Sequence, residues 1–388
     1  LPAETQAPST TQRSMIRHWN EVAVDASGLD HTPVAAGDPR IFGEQLGPAR
    51  ASRAMAIVHI AVFEAVNAIM PLYRSYLGIR PALPGTSMNA AIAQAAHDSL
   101  SALFPSQRAH FDAQLAADLG AIREGMPKRL GINLGRRAAE ASLARRANDG
   151  SAHAELRVGV EFITQDGAGY WRQDPVSLSP IALGARWDEV RPFVMRAARQ
   201  FRVPPPPPMD SAAYATAYDE VRALGGDGIT TPTLRTPDQT HIGLFWAYDG
   251  TPSLCAPPRL YNQIAMQVAD QMGTNAPGLA RLLALVNTAM ADAGIAAWES
   301  KYYYEFWRPV TGIRESDPGT GPSGSGDGNA ATIGDPAFMP LGAPASNLTG
   351  PNFTPPFPAY PSGHATFGGA LFQTLRRLME ARMIKAGR

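Results

Sequence analysis

The chain has 388 residues, of which 45% are hydrophobic and 18% charged, a balance that supports large cores and excludes a disordered protein. Lysine plus arginine and aspartate plus glutamate total 34 each, so no net charge attracts nucleic acid or anionic lipid. The single cysteine, Cys255, excludes an internal disulfide and a CxxC metal site. No run of about 18 uninterrupted apolar residues occurs, so no membrane span is predicted.

The first 48 residues are polar and punctuated by proline and glycine, which predicts an irregular leader along the surface. The chain begins Leu1-Pro-Ala-Glu without a methionine, and no basic and apolar signal region follows. This start suits an exported protein, secreted or periplasmic, from which the signal has been removed, and the alternative is a chain that has been trimmed at its start.

Helical patterning begins after this leader. Residues 52–67 are almost continuously apolar or small over four turns, which is typical of a buried helix. Further helices are predicted at 88–103, 106–121, 128–149, 210–224, 236–247, 258–273 and 277–305, with a last one starting near Ser362. No segment alternates convincingly with period two. The pattern predicts an all-α fold of two helical bundles, about four helices each, with long loops rich in proline and glycine.

Five consecutive prolines, Pro204 to Pro208, form a stiff extended spacer that cannot be helix or interior strand. They give the predicted domain boundary, with an N-terminal helical region at residues 1–205 and a C-terminal bundle at 206–388. Residues 315–358 are rich in glycine, proline, serine and asparagine, and a loop of that length is usually functional or mobile.

The segment from Lys301 to Pro309 carries two cations, Lys301 and Arg308, seven residues apart. Seven residues are two helical turns, so both side chains are expected on one helix face, and Pro309 is expected to stop or kink the helix. Arg308 offers a planar fork of donors and Lys301 a point charge, and together they suit a multiply charged anion. The alternative is a solvated basic face.

The segment Pro361-Ser362-Gly363-His364 follows a run of prolines and opens a helix of small residues. Ser362 suits the N-cap, and the missing side chain of Gly363 lets an anion reach backbone N–H groups at the positive end of the helix. His364 would lie one step inside, where it can exchange a proton with a bound oxygen. The alternative is a capped helix with an incidental histidine.

Together these segments resemble the vanadium haloperoxidase and type 2 acid phosphatase superfamily. Lys-(six residues)-Arg-Pro and Pro-Ser-Gly-His correspond to its first two signature motifs. The similarity is greatest to the chloroperoxidases, over about residues 240–377, and residues 56–67 also resemble bacterial members. The stretches that carry it are Phe245–Gly250, Asp292–Ile295, Phe306–Pro309, Leu341–Pro344 and Pro355–Ala370.

The resemblance implies vanadate as the cofactor and a role for each matching residue. Lys301, Arg308, Ser362 and the backbone N–H of Gly363 would neutralise and hold the equatorial oxygens of vanadate. His364 would be the acid–base partner of the apical oxygen. Hydrogen peroxide and halide would be the substrates and hypohalous acid the product, with phosphate as a competing oxyanion and no redox cofactor.

Three further residues match positions outside these motifs. Trp298 and Phe357 match positions associated with the halide pocket, and Asp249 matches an acidic position behind the arginines. The alternatives are two ordinary core aromatics and a surface turn residue before Gly250.

The third motif of the family, an arginine and a second histidine that bonds vanadium directly, has no match. The sequence ends at Arg388 without a histidine after His364, and Arg376 and Arg377 share the helix of His364. We identify no metal-ligating residue, and for a chain that ends there we expect an incomplete oxyanion pocket and severely impaired turnover.

Two alternatives to the haloperoxidase hypothesis stay open: an acid phosphatase on the same scaffold, and a catalytically silent helical protein. Trp298 and Phe357 favour halide oxidation over phosphate hydrolysis. The halide, the organic substrate and the formation of a homodimer are not determined by these motifs.

Overall fold

A computed structural model describes residues 9–247, 257–343 and 352–385. This part of the chain contains eleven α-helices and one pair of two-residue antiparallel strands, β1 (Leu156–Arg157) and β2 (Ile181–Ala182). The helices are α1 (Ser9–Asp30), α2 (Gly47–Ile69), α3 (Met88–Leu103), α4 (Arg108–Gly120), α5 (Met126–Arg146), α6 (Ala212–Gly225), α7 (Pro237–Trp246), α8 (Pro258–Gln271), α9 (Ala276–Tyr304), α10 (Pro309–Glu315) and α11 (Gly363–Lys385). The prediction of an all-α fold is confirmed.

The N-terminal segment predicted to be irregular contains the 22-residue helix α1, so that prediction is wrong. Ile16, Trp19, Ala23 and Ala26 are each at most 2% exposed, and their spacing of three and four residues places them on one helix face. The polar residues between them dominate the composition of the segment. Burial of this helix face, rather than average polarity, therefore decides that the segment is helical.

The chain divides into two compact units, each built from separated segments. The first comprises Leu1–Ala152, Cys255–Gly294 and His364–Arg388, and the second His153–Leu254 and Ile295–Gly363. This division differs from the single boundary predicted at Pro204–Pro208, a run that lies inside the second unit. In the first unit α8 contacts α1, where Asp270 pairs with both Arg13 and Arg17, so contacts between distant segments override the order of the chain.

The first unit has a core of small side chains between α2, α3 and α5. Gly131 and Gly135 of α5 lie against the backbone of α3, where a Cβ atom on either glycine would overlap main-chain atoms. The close approach of the two helices therefore requires glycine at both positions. The buried residues of this core are Ala61, Ala65, Ala68, Ala91, Ala95, Leu134 and Ala138.

Within the described residues, two helices are long and apolar enough to cross a membrane by length and composition, α2 and α9. Of their most apolar windows, 89% and 72% of the residues are buried inside the protein, as in core helices.

His97 of α3 is held between two carboxylates, with Nδ1 at 2.7 Å from Asp98 and Nε2 at 2.8 Å from Asp112 of α4. Burial lowers the pKa of His97, but the two carboxylates outweigh burial, so the pKa lies above its ordinary value of 6.5. A raised folded-state pKa contributes stability that is fully present below the unfolded pKa and is lost as the pH rises through the folded pKa.

We therefore expect the advantage of the parent protein over His97→Gln, in free energy of unfolding, to shrink as the pH rises above about 6.5. Urea unfolding at several pH values measures it. His110→Gln, at an exposed position of α4, is the control and is expected to show no such trend. If the difference in free energy of unfolding between the parent protein and His97→Gln were constant with pH, the proposed effect of the two carboxylates on His97 would be contradicted.

The second unit has a core of aromatic and branched side chains where α6 packs on α10. Helix α10 was not predicted; Pro309 is its first residue, a position where proline stabilises a helix rather than stopping one. The buried members of this core are Tyr214, Tyr218, Trp307, Val310, Ile313 and Phe338.

Candidate oxyanion-binding site

Lys301 lies in the last turn of α9 and is 1% exposed. Its ammonium group donates hydrogen bonds to the carbonyl oxygens of Pro358 at 2.8 Å and Ala359 at 3.0 Å. Burial and, secondly, the nearby charge of Arg308 hold the pKa of Lys301 well below its usual range. An anion beside the Nζ atom would oppose that shift, because an opposite charge favours the ammonium form.

Arg308 does not share a helix with Lys301, and the prediction of two cations on one helix face is wrong in this respect. Helix α9 ends at Tyr304, Glu305 has a φ of 45°, and Arg308 immediately precedes α10 with extended backbone angles. The Arg308 Nε atom donates to the carbonyl oxygen of Phe357 at 2.8 Å. Both cations therefore meet at residues 357–359, and this segment, rather than helical periodicity, brings them together.

The ring of Phe357 lies beside both cations. The Lys301 Nζ atom is 5.1 Å and the Arg308 Cζ atom 4.8 Å from its centroid, and the Trp298 ring is 4.9 Å away. Trp298 is 1% exposed and Phe357 7%. Each cation is within the range of a cation–π contact, and the two rings exclude water on this side.

The indole of Trp298 is fixed by the segment that follows β2. Its Nε1 atom donates to the carbonyl oxygen of Leu183 at 3.0 Å, and the Tyr302 hydroxyl, one helical turn further on, donates to the same oxygen at 3.0 Å. Gly184 lies against the indole with a φ of 76°, and a Cβ atom there would overlap the Trp298 ring. A residue with no side chain is therefore required at position 184.

We expect Gly184→Ala to lower the free energy of unfolding by about 1–3 kcal/mol more than Gly159→Ala, because only the first introduces a clash with a buried ring. Gly159 has a similar φ of 78° and nothing within 4 Å of an added Cβ, so it controls for backbone strain. Urea unfolding of both variants measures the difference. Equal losses would contradict the proposed contact with Trp298.

Ser362 and Gly363 stand at the start of α11, as predicted for a helix beginning near Ser362. Ser362 is exposed, Gly363 is the first helical residue, and a Cβ atom added there would meet Trp298 at an ordinary 3.5 Å. The first N–H groups of a helix have no intrahelical acceptor and carry partial positive charge. The backbone N–H of Gly363 stands at this positive end of α11.

His364 follows Gly363 in the chain and belongs to the first unit. It is half-buried, and its carbonyl oxygen accepts a hydrogen bond from the Tyr261 hydroxyl at 2.8 Å. That hydroxyl also lies 3.0 Å from where a Cβ of Gly368 would be, so Tyr261 packs closely on the first turns of α11.

The comparison with known proteins identifies the family. The sequence is 31% identical to the vanadium chloroperoxidase of Curvularia inaequalis, in an alignment of 431 residues that covers 97% of this chain and 67% of that protein. The chain belongs to the vanadium chloroperoxidase family. Residues 281–386 also match the model of the second helical-bundle domain of that family, and this range includes Lys301, Arg308 and His364.

Solved structures of similar proteins agree on the fold. The crystal structure of a bacterial vanadium-dependent iodoperoxidase is 21% identical, with a TM-score of 0.69 over 92% of this chain and 81% of that one. An apo-type bacterial vanadium-dependent chloroperoxidase is 16% identical, with a TM-score of 0.57 over 86% and 79%.

The donor set fits the oxyanion cofactor of this family. An ammonium group has three N–H donors, and Lys301 uses two of them on carbonyl oxygens, which leaves the third for a ligand. The Nε bond of Arg308 fixes the plane of its guanidinium fork, which suits a tetrahedral anion. Two cations beside the start of α11 match the charge of vanadate or phosphate.

The sequence motifs did not indicate the contacts that hold residues 202 and 203 against the last turns of α9. Arg202 forms an ion pair with Glu299, which is 7% exposed. The Arg202 guanidinium also stacks over Tyr303, with its Cζ atom 3.4 Å from the ring centroid. The Tyr304 hydroxyl donates to the carbonyl oxygen of Val203 at 2.7 Å. The chain just before the proline run is thereby tied to the turn of α9 that carries Lys301. No motif marks these pairs, because each joins residues about a hundred positions apart.

Asp249 lies outside the described residues, so its role stays a prediction. Among residues 9–247, 257–343 and 352–385, no group of three or more histidine, cysteine, aspartate or glutamate side chains is placed to hold a metal ion.

Proposed function

We propose that the protein is a vanadate-dependent haloperoxidase, which oxidises halide with hydrogen peroxide to hypohalous acid. The observation that carries the proposal is the meeting of Lys301 and Arg308 at the carbonyl groups of residues 357–359, beside the rings of Trp298 and Phe357. Membership of the vanadium chloroperoxidase family supports vanadate as the anion bound there.

Binding of the anion is assigned to four groups. Lys301 and Arg308 neutralise its charge, while the Ser362 hydroxyl and the Gly363 N–H add neutral hydrogen bonds. These donors act next to buried aromatic rings, where charge interactions are stronger than in water. When bound, vanadate supplies a Lewis acid that activates peroxide without changing its own oxidation level.

His364 is assigned the proton transfers. Peroxide binding and water release each require a proton to move, and an imidazole exchanges protons near neutral pH. Trp298 and Phe357 are assigned the halide side of the site, where their rings exclude water and the adjacent cations attract an anion.

The test uses the purified chain, with its intact mass recorded on the same sample. Binding of orthovanadate is measured by calorimetry, and oxidation of chloride, bromide and iodide by peroxide is measured with and without vanadate. We expect stoichiometric vanadate binding and vanadate-dependent oxidation of at least one halide. No vanadate binding, or halide oxidation indifferent to vanadate, would overturn the proposal.

The second candidate is an acid phosphatase, because the same cations and helix-start donors suit phosphate as well as vanadate. Hydrolysis of p-nitrophenyl phosphate, inhibited by vanadate and without halide oxidation, would favour it. Vanadate uptake with neither activity would favour a silent oxyanion-binding protein.

A further inference from the structure

An apolar pocket opens in the second unit, between α6, α10 and the proline run Pro204–Pro208. Its volume is about 230 Å³. The walls are the rings of two tyrosines of α6 and of residues around α10, together with Pro206, Pro207 and Pro309. Among the residues that the structure describes, none with a charged side chain lines it. An open apolar concavity of this kind is unfavourable in water and typically marks a ligand site.

Two of the three tyrosine hydroxyls of the lining are already hydrogen-bonded inside the protein. The Tyr218 hydroxyl donates to the carbonyl oxygen of Ile333 at 2.8 Å, and the Tyr360 hydroxyl donates to that of Pro204 at 2.8 Å. The lining therefore offers a ligand mainly ring faces and carbon atoms, and a charged group placed there would lose water without gaining a partner.

The walls are rigid, so the pocket is formed before any ligand arrives. The three prolines have fixed φ angles, and Tyr214, Tyr218 and Trp307 are each at most 8% exposed within the core of the unit. A preformed pocket avoids the entropy cost of ordering flexible side chains on binding.

We propose that this pocket is a binding site for a neutral, compact aromatic molecule, separate from the oxyanion site. Aromatic ligands suit walls of aromatic rings, which stack face-to-edge or offset. An apolar cavity of about 150 Å³ in another protein takes up benzene, so this volume suits a somewhat larger ring system. A proline-rich partner peptide is disfavoured, because the chain's own Pro206 and Pro207 already form one wall.

The pocket adjoins the candidate oxyanion site without sharing its donors. Ala359 lines the pocket, and its carbonyl oxygen accepts a hydrogen bond from Lys301. Trp307 and Pro309, on either side of Arg308 in the chain, also line it. A bound aromatic ring would therefore contact Ala359, a residue of the segment 357–359 that holds both cations.

The experiment measures binding of 1-naphthol to the whole chain by equilibrium dialysis, without peroxide, halide or vanadate, so it does not depend on the proposed function. We expect one saturable site, and 1-naphthoate is expected to displace 1-naphthol only at about tenfold higher concentration or more, because its carboxylate has no partner in the pocket. Absence of saturable 1-naphthol binding would overturn the proposal. Displacement of 1-naphthol by 1-naphthoate at the same concentration as by added 1-naphthol would overturn it as well.

Two matched variants on α6 locate the site. Ala217 lines the pocket from an exposed position, whereas Ala212 is exposed on the opposite face of the same helix. Ala217→Trp is expected to weaken 1-naphthol binding by about tenfold or more by filling the pocket, and Ala212→Trp to leave it unchanged. Equal binding by the two would place the ligand elsewhere and overturn the proposal. Should Ala217→Trp not fold, Val221→Trp, at another partly exposed lining position, provides the same comparison.

Discussion

Replacing Lys301 by methionine is expected to weaken orthovanadate binding by about a hundredfold, because it removes a buried positive charge and its hydrogen bonds from the anion site. Methionine has a similar length and suits a position that is 1% exposed. Calorimetric titration with orthovanadate measures the loss, and circular dichroism checks that the variant is folded.

Lys128→Met is the matched control for this loss. Lys128 is also buried, at 8% exposure, but lies on α5 in the first unit, where it pairs with Glu124. Its replacement is expected to leave vanadate binding unchanged. Arg308→Lys separates charge from geometry: it keeps the charge but loses the guanidinium fork, so it should bind vanadate with intermediate affinity. If Lys301→Met bound vanadate as well as Lys128→Met does, the assigned site would be wrong.

Replacing Asp149 by alanine is expected to lower the free energy of unfolding by about 3–5 kcal/mol, the typical loss when one partner of a buried ion pair is removed. The carboxylate of Asp149 accepts from Arg53 and from Arg146 at 2.7 Å each, and it is also bonded by Ser151. Arg146 is 3% exposed, so the variant leaves a buried charge without this counter-ion. Urea unfolding measures the change.

Glu189→Ala is the control, since Arg186 and Glu189 form an ion pair with the same spacing of three residues at an exposed site. It is expected to cost less than about 1 kcal/mol. A similar loss for both variants would show that burial does not set the effect.

The pH dependence gives a second check on Asp149. Burial raises the pKa of Asp149, but the hydrogen bond and charge of Arg53 outweigh burial, so the pKa lies below its ordinary value of 3.8. A lowered folded-state pKa contributes stability above the unfolded pKa that is lost as the pH falls through the folded pKa. The difference between the parent protein and Asp149→Ala should therefore shrink in acid, below about pH 4.

Local sequence signals were sufficient for most helices. The limits predicted for α3 match the structure, and those of α2, α5, α6, α8 and α9 agree to within a few residues, because their apolar positions recur with helical spacing. Helix α1 was missed because its buried apolar residues are interspersed with polar ones. Helix α10 was missed because Pro309 was interpreted as the end of a helix rather than the start of one.

The sequence by itself determined the all-α fold class, the family and the residue types gathered in the two motifs, because each of these is encoded by spacing within one segment. Tertiary structure alone decided how Lys301 and Arg308 come together: α9 ends between them, and the carbonyl groups of residues 357–359 bind both cations. It also decided the ion pair of Arg202 with Glu299, the close contact of Gly184 with Trp298, and the two units built from separated segments. The physical reason is the same in each case. Hydrogen bonds, ion pairs and packing between residues far apart in the chain depend on where the backbone places them, and no local periodicity carries that information.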